Sequence, residues 1–559
     1  MNPIKLYPEK LFLSLTLFLL LVGCNEDLEN NIKDDPYGGG KAPLGIGLLP
    51  EAPSPGSAYP GDSVIFKAKG LLNWCDPQSG RYDFDFYISE EKTVVVTATD
   101  STITIKVPEN LSSGIAHIVL KDQVFYGPKL NILGNIRIDR EYGLKKGPSG
   151  PIYNCVEHYE WARNYYLIGD YTRILDVSSN RLRIALINDK GITSGTWTSG
   201  YRLDPNDGAN IDNNNPMSGA SVDCYLNSFS YFSDNKVLLS GKFSKYGHGA
   251  YAMNNITVGT NEVGGYLAGV TLPSKYANTN LNVNLPVFNG GTLEAPTRTF
   301  VSSKQQVIAV GNITRYCKIN YDKSYAEEIV FDYLPVSCAL RMGNTGELDE
   351  NYRKNATGVV GVIQDAYMDA NDGVVIVGAF NSFDGQTVNN IVRLDSTGKS
   401  DEIFMQNIGN GSNGPINKIR YNKNKGKALL VGQFSEFNGI PCQGVVMLNA
   451  DGTIDPEFSV RKMEGGLPNF ACLLENDKIV LSGTFTKYDG VTRRGFLILD
   501  REGKAIQRFN VPGIFMGELF QVMETRTTTN SNGLLLLGDF RRFDGEIVNN
   551  AVMIEIDYD

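Results

Sequence analysis

The feature that most constrains this 559-residue chain is an internal repeat. Four segments align with little adjustment: Val374 to Gly385, Ala428 to Gly439, Ile479 to Gly490 and Leu534 to Gly545. Each reads as four apolar residues (Ser482 taking the fourth place in the third copy), Gly, any residue, Phe, two variable residues, an aromatic, Asp or Asn, then Gly. Weaker copies stand at Tyr166 to Tyr171, Leu238 to Phe243 and Ile308 to Ile313. The marker glycines are Gly169, Gly241, Gly311, Gly378, Gly432, Gly483 and Gly538, one per copy. Their intervals are 72, 70 and 67 residues over the first copies and 54, 51 and 55 over the last. Four short strands with turns fill such a period, and a fixed period of this size marks stacked or radially arranged units. A glycine inside an apolar strand points to a bulge or a close approach of a neighbouring chain. The Asp-Gly and Asn-Gly pairs supply hairpin turns with positive φ. Strong copies continue into Leu394-Asp395-x-x-Gly398 and its relatives, after which a short strand is expected at 401–404, 455–458 and 506–509.

This succession of strand-Gly-x-Phe, Phe-Asp-Gly and Leu-Asp-x-x-Gly resembles the delta-60 repeat family, whose repeats form β-propeller blades. The resemblance is strong over 374–557 and weak over 150–352. It implies an all-β fold in which residues 134–559 form a seven-bladed β-propeller; an open β-solenoid is the alternative. The last copy ends without a fourth strand, and Asn135 to Asp139 is placed to supply it. Composition agrees: 59 glycines, 10% aromatic and only 20% charged residues suit short strands and turns.

The N-terminus reads as an address. Lys5 and Lys10 precede the apolar run Leu11 to Val22, too short to span a bilayer and the length of a signal-peptide core. Leu21-Val22-Gly23-Cys24 resembles the lipobox of bacterial lipoproteins. That resemblance implies cleavage after residue 23, lipidation of Cys24, and anchoring by several acyl chains. The acidic residues after Cys24 resemble the surface-export signal of Bacteroidota-type lipoproteins, which implies an outer-membrane, cell-surface location. Residues 24–43 are polar, with a Gly triplet, and read as a flexible tether.

Residues 44–133 hold about seven short alternating strands, the pattern of an Ig-like β-sandwich. Their order resembles the IPT/TIG family, which implies a spacer or stalk.

Chemistry-bearing motifs are sparse. The three His (117, 158, 248) form no metal-ligand pair, and no nucleophile elbow, phosphate loop or dinucleotide fingerprint occurs. Beyond Cys24 the seven cysteines lie far apart without Cys-x-x-Cys, so no metal or cofactor is expected; Cys317 and Cys338 could pair. A net charge of −10 argues against a nucleic-acid partner. The longer first copies carry Asn-, Tyr- and Trp-rich loops, and aromatic rings pack on sugar or peptide groups. Trp161, Trp197, Tyr201, Tyr246 and Tyr251 are therefore the candidate ligand-binding residues. A lipoprotein with an Ig-like module and a binding propeller resembles, in layout, the accessory components of Sus-type importers. Such importers pair a TonB-dependent channel (SusC-like) with a SusD-like lid. The expected function is thus non-enzymatic binding or scaffolding in uptake of glycans or oligopeptides. A polymer-degrading hydrolase or lyase, or an adhesin, is the alternative.

Overall fold

The computed structural model describes residues 44–558 except 77, 80, 177–182, 194–224, 234–235, 244–254 and 261–266. The expected signal segment, Cys24 and the expected tether lie outside the described residues, as do Trp197, Tyr201, Tyr246 and Tyr251. No helix among the described residues is long and apolar enough to cross a membrane.

The fold is all-β, an Ig-like sandwich followed by a seven-bladed propeller. The sandwich alternates cleanly: Ser63–Lys69 reads exposed, buried, exposed throughout, with Val64, Phe66 and Ala68 inward. Glu91–Ala98 is the corner. Its first residues pair with Asp85–Ile88 and its last with Thr102–Lys106, with a register shift between Val95 and Thr97. That bend lets one strand serve both sheets around a core containing Phe66, Phe86 and Ile118.

Each blade is an antiparallel meander. The innermost strands, in order, are Ile152–Glu157, Tyr225–Ser233, Arg298–Val301, Val359–Met368, Ile416–Asn422, Pro468–Leu473 and Met516–Arg526. Successive inner strands touch all the way round, and the strand of blade 7 meets that of blade 1. Ile136–Ile138 pairs with Ala551–Ile556, so the N-terminal end of the propeller supplies the outer strand of the last blade and closes the ring.

The marker glycines explain the repeat. A Cβ on Gly169, Gly241, Gly378, Gly432, Gly483 or Gly538 would lie 2.0–2.3 Å from a carbonyl oxygen of its blade's inner strand or the residue before it. On Gly311 it would lie 2.6 Å from the Thr297 nitrogen. In every blade but the third, the inner strand bulges at this point. Each glycine N–H also donates to a residue before the third strand: Arg183, Asn255, Cys338, Asn390, Gly444, Gly495 or Asn550. All seven acceptors have positive φ, between 56° and 82°.

Two expectations need correction. The short strand after Leu-Asp-x-x-Gly does not form. At Asp401 the carboxylate accepts from the N–H groups of Ile403 and Phe404 and caps the helix Glu402–Ile408 instead. In blades 5 and 6 a single bridge, Leu448 to Ile454 and Leu499 to Ala505, is what remains of it. Cys317 and Cys338 are not joined by a disulfide.

The Ig-like module is not a loose spacer. It sits on the hairpin-tip face of blades 6 and 7, with Val511 of the blade connector inserted into its core. Ser113 N–H donates to Val511 O (2.8 Å), Arg493 Nη1 to Asn110 O (2.7 Å), and Lys129 Nζ to Asp544 O (2.6 Å).

Candidate ligand-binding cavity in the central channel

The seven inner strands surround a cavity of about 550 Å³ to which every blade contributes. The bulge register sets its depth. In each blade the residue before the marker glycine pairs with one inner-strand residue: Asn154, Ser228, Arg298, Asp365, Lys418, Phe470 or Gln521. These seven form one level, and at this level side chains cross the channel. Asp365 is fully buried between two guanidiniums, Arg298 Nε at 2.8 Å and Arg420 Nη1 at 2.5 Å. Burial opposes its charge, but the two arginines prevail and hold the carboxyl far below the usual range. Arg420, from blade 5, also donates to Phe520 O of blade 7 through Nε (3.0 Å) and Nη2 (2.8 Å). Lys418 pairs with Glu518, donates to Leu519 O at 3.0 Å, and lies 4.2 Å from the Phe520 ring centroid. Burial pushes its amine down to about 8, against the pull of Glu518. Gln521 exchanges both amide hydrogen bonds with the Cys155 backbone, each 2.7 Å, and ties blade 7 to blade 1. The cavity is therefore a cup with a braced, charged floor.

Its walls are aromatic. Tyr153, Phe229, Phe300, Tyr367, Tyr421 and Phe520 line it, with Tyr367 stacked on Tyr421 (4.4 Å, 10°). Burial pushes the Tyr153 phenol and the Cys472 thiol up to about 12, so both stay protonated at neutral pH. Glu475 and Glu524 stand at the other end of the inner strands, where the cup opens. Burial, reinforced by the Glu475 charge, raises the Glu524 carboxyl. Neither carboxylate has an ion-pair partner among the described residues; Glu475 accepts from Asn424 Nδ2 (3.0 Å), and its N–H donates to Glu524 (2.8 Å).

Trp161 does not line the cup. It follows the inner strand Ile152–Glu157 and so stands on the face where the cup opens, 45% exposed. It stacks on His158 at 4.3 Å and 9°, and His158 Nδ1 accepts from the Trp161 and Glu160 N–H groups. The cup residues belong to no short sequence motif. The available signal was a charged residue thirteen or fourteen positions before the marker glycine, as at Arg298, Asp365 and Lys418. Asp395 spends its carboxylate on the Thr397 and Lys399 N–H groups and the Thr397 hydroxyl, the bonds of a turn.

Three domain families of unknown function match parts of the chain. They are DUF5008 over residues 20–128, DUF5124 over 132–228, and DUF5122, described as a beta-propeller, over 370–404 and 426–458. No curated protein matches. Among solved structures, an auxiliary nutrient binding protein from Bacteroides thetaiotaomicron is 10% identical, covering 91% of this chain and 97% of its own, with a TM-score of 0.28. One of the same description from Bacteroides ovatus is 10% identical with the same coverages and a TM-score of 0.26. The structure described as YCF48 bound to D1 peptide is 9% identical, with 74% and 96% coverage and a TM-score of 0.36. Likenesses this loose carry no functional argument.

Proposed function

We propose that this protein is a surface-exposed outer-membrane lipoprotein, anchored through Cys24, that binds a glycan or oligopeptide without turning it over. In this reading it is an accessory component of a Sus-type importer and works beside a TonB-dependent channel and a SusD-like lid. The observation that carries the binding role is the cup: a cavity closed below by ion pairs and lined both by aromatic rings and by many polar and charged side chains. Concave, largely preformed sites of this size and lining suit small ligands. Its floor bases and acid are engaged with one another and its thiol is protonated, an arrangement suited to holding a ligand. The membrane and surface assignment is supported by the lipobox-like Leu21 to Cys24 and the acidic residues after it. The importer assignment is supported by the layout of anchor, Ig-like module and binding propeller.

Affinity purification from detergent-solubilised membranes tests the importer part, and a protein recovered alone sinks it. Incubation with glycan and peptide mixtures tests the rest: retention of intact ligand is expected, and turnover overturns the non-enzymatic reading. Cys24→Ala is expected to release the protein from the membrane fraction.

A further inference from the structure

The cup is electrically polarised along its depth. At the floor, two guanidiniums face one carboxylate, Asp365, while Lys418 is matched by Glu518, so one positive charge is left over. Both arginines line the cavity, whereas Asp365 sits behind them at 3% side-chain exposure. Arg298 spends Nε on Asp365 and one Nη1 hydrogen on Asn227 O (3.2 Å), which leaves its Nη2 group for another acceptor. At the rim the sign reverses: Glu475 and Glu524 lie together with no ion-pair partner among the described residues, against Lys423 and the more distant pull of Lys425, which is itself paired with Asp477. The Glu524 carboxyl is raised chiefly by burial, with the Glu475 charge adding to it, so a cation placed beside it would be favoured.

We propose that the cup takes a short peptide in extended form, its C-terminal carboxylate on Arg298 and its N-terminal ammonium between Glu475 and Glu524. This rests on, and narrows, the binding role proposed above. The length agrees. Gln521 marks the floor level and Glu524 the rim on the same strand, three residues and about 10 Å apart at ~3.4 Å per residue. An extended tripeptide spans about 10 Å. The Tyr367–Tyr421 stack and Tyr153 offer ring surfaces to apolar side chains between the two charged ends. A carboxylate also occurs on uronic sugars, which lack the ammonium that the rim calls for.

Calorimetry on the full-length protein in detergent separates these, with the tripeptide Phe-Ala-Phe as probe beside its C-terminal amide, its N-acetyl form and a glucuronic-acid disaccharide. Expected is binding of the free tripeptide, weakened about tenfold or more by amidation and severalfold by acetylation, the scale of charge-assisted hydrogen bonds. Arg298→Met is expected to abolish the difference between acid and amide. Glu475→Gln, at the solvent-facing rim and safe for folding, is expected to abolish the difference between amine and acetyl. Equal affinity of all three peptides overturns the polarised assignment. Arg298-dependent binding of the disaccharide alone overturns the peptide and leaves the binding role intact. Binding of neither class overturns both.

Discussion

In blades 4 to 7 the turn between the second and third strands is Asp384-Gly385, Asn438-Gly439, Asp489-Gly490 or Asp544-Gly545, every residue with positive φ. In blades 1 to 3 no such pair occurs there. The position before the third strand differs as well. Asn or Gly takes the left-handed conformation in blades 4 to 7 and, at Asn255, in blade 2, whereas Arg183 and Cys338 take it in blades 1 and 3. An Arg or Cys at positive φ costs on the order of 1 kcal/mol relative to Gly. Yet the hydrogen bond that this conformation serves, from the marker glycine, measures 2.9–3.1 Å in all seven blades. The closed ring fixes the geometry, and local residue preference follows it only where nothing else has intervened. The irregular half has traded turn chemistry for insertions, including the satellite sheet Gly291–Thr292, Arg315–Ile319 and Phe331–Pro335.

The severest test of this equivalence is the marker glycine. Gly378→Val, in a regular blade, and Gly169→Val, in an irregular one, both force a side chain onto a carbonyl 2.0–2.1 Å away. Each is expected to destabilise by more than about 4 kcal/mol, or to prevent folding. Chemical denaturation measures it; tolerance of Gly169→Val alone would show that blade 1 only imitates the repeat.

The floor brace belongs to both halves, since Arg298 comes from blade 3, Asp365 from blade 4 and Arg420 from blade 5. Asp365→Asn leaves two buried guanidiniums short of a counter-charge and is expected to cost about 3 kcal/mol or more. The folded carboxyl titrates well below its unfolded value of about 3.9, so its stabilisation is fully present above that pH and is lost only in stronger acid. The parent should therefore lose this contribution only below about pH 4, whereas Asp365→Asn, with no carboxyl to titrate, should start from a lower stability and show a flatter acid limb. Denaturant midpoints between pH 2 and 7 report both.

Lys418 runs the other way. Its folded amine titrates at about 8, below the unfolded value of about 10.4, so the unfolded state binds more protons between those values. Stability contributed through this group should rise with pH across that window, by about 3 kcal/mol at full effect. Lys418→Met is expected to flatten the rise. An unchanged slope would mean that the Glu518 pair keeps the lysine charged.

The fold was legible because its rules are local and recur. Gly-x-Phe, Asp-Gly and the spacing of the marker glycines each reflect a backbone demand that the ring imposes in every blade, and the missing outer strand could be sought at the other end of the chain. The cup was illegible for the opposite reason. Lys418 meets Glu518 and Arg298 meets Asp365 across blade boundaries, at sequence distances of 100 and 67 residues, and no short pattern records such a meeting. Trp161 was visible because of its chemistry, but chemistry alone could not show that it stacks on His158 beside the opening instead of lining it.

The smallest effect gives the finest comparison. Asp384, in a regular turn, accepts from the Thr357 (3.0 Å) and Gly358 (2.7 Å) N–H groups and so clasps the connector entering its own blade. Blade 1 has no Asp-Gly turn, yet Asp176 accepts from Lys146 (2.8 Å) and Gly147 (3.0 Å), again on the connector entering its own blade. The clasp has outlived the motif. Truncating either carboxylate orphans backbone donors at the blade entry. Asp384→Ala and Asp176→Ala should thus each cost about 1–2 kcal/mol, with Asp384→Ala the larger because Ala also resists its φ of 48°. Asp384 also pairs with the buried Arg353 guanidinium (3.0 Å), so Asp384→Asn, which keeps an acceptor and tolerates the turn but removes the charge, is expected to recover only part of the loss. Thermal melts of the three variants decide it: a neutral Asp176→Ala would mean that the irregular blades hold their connectors by packing alone.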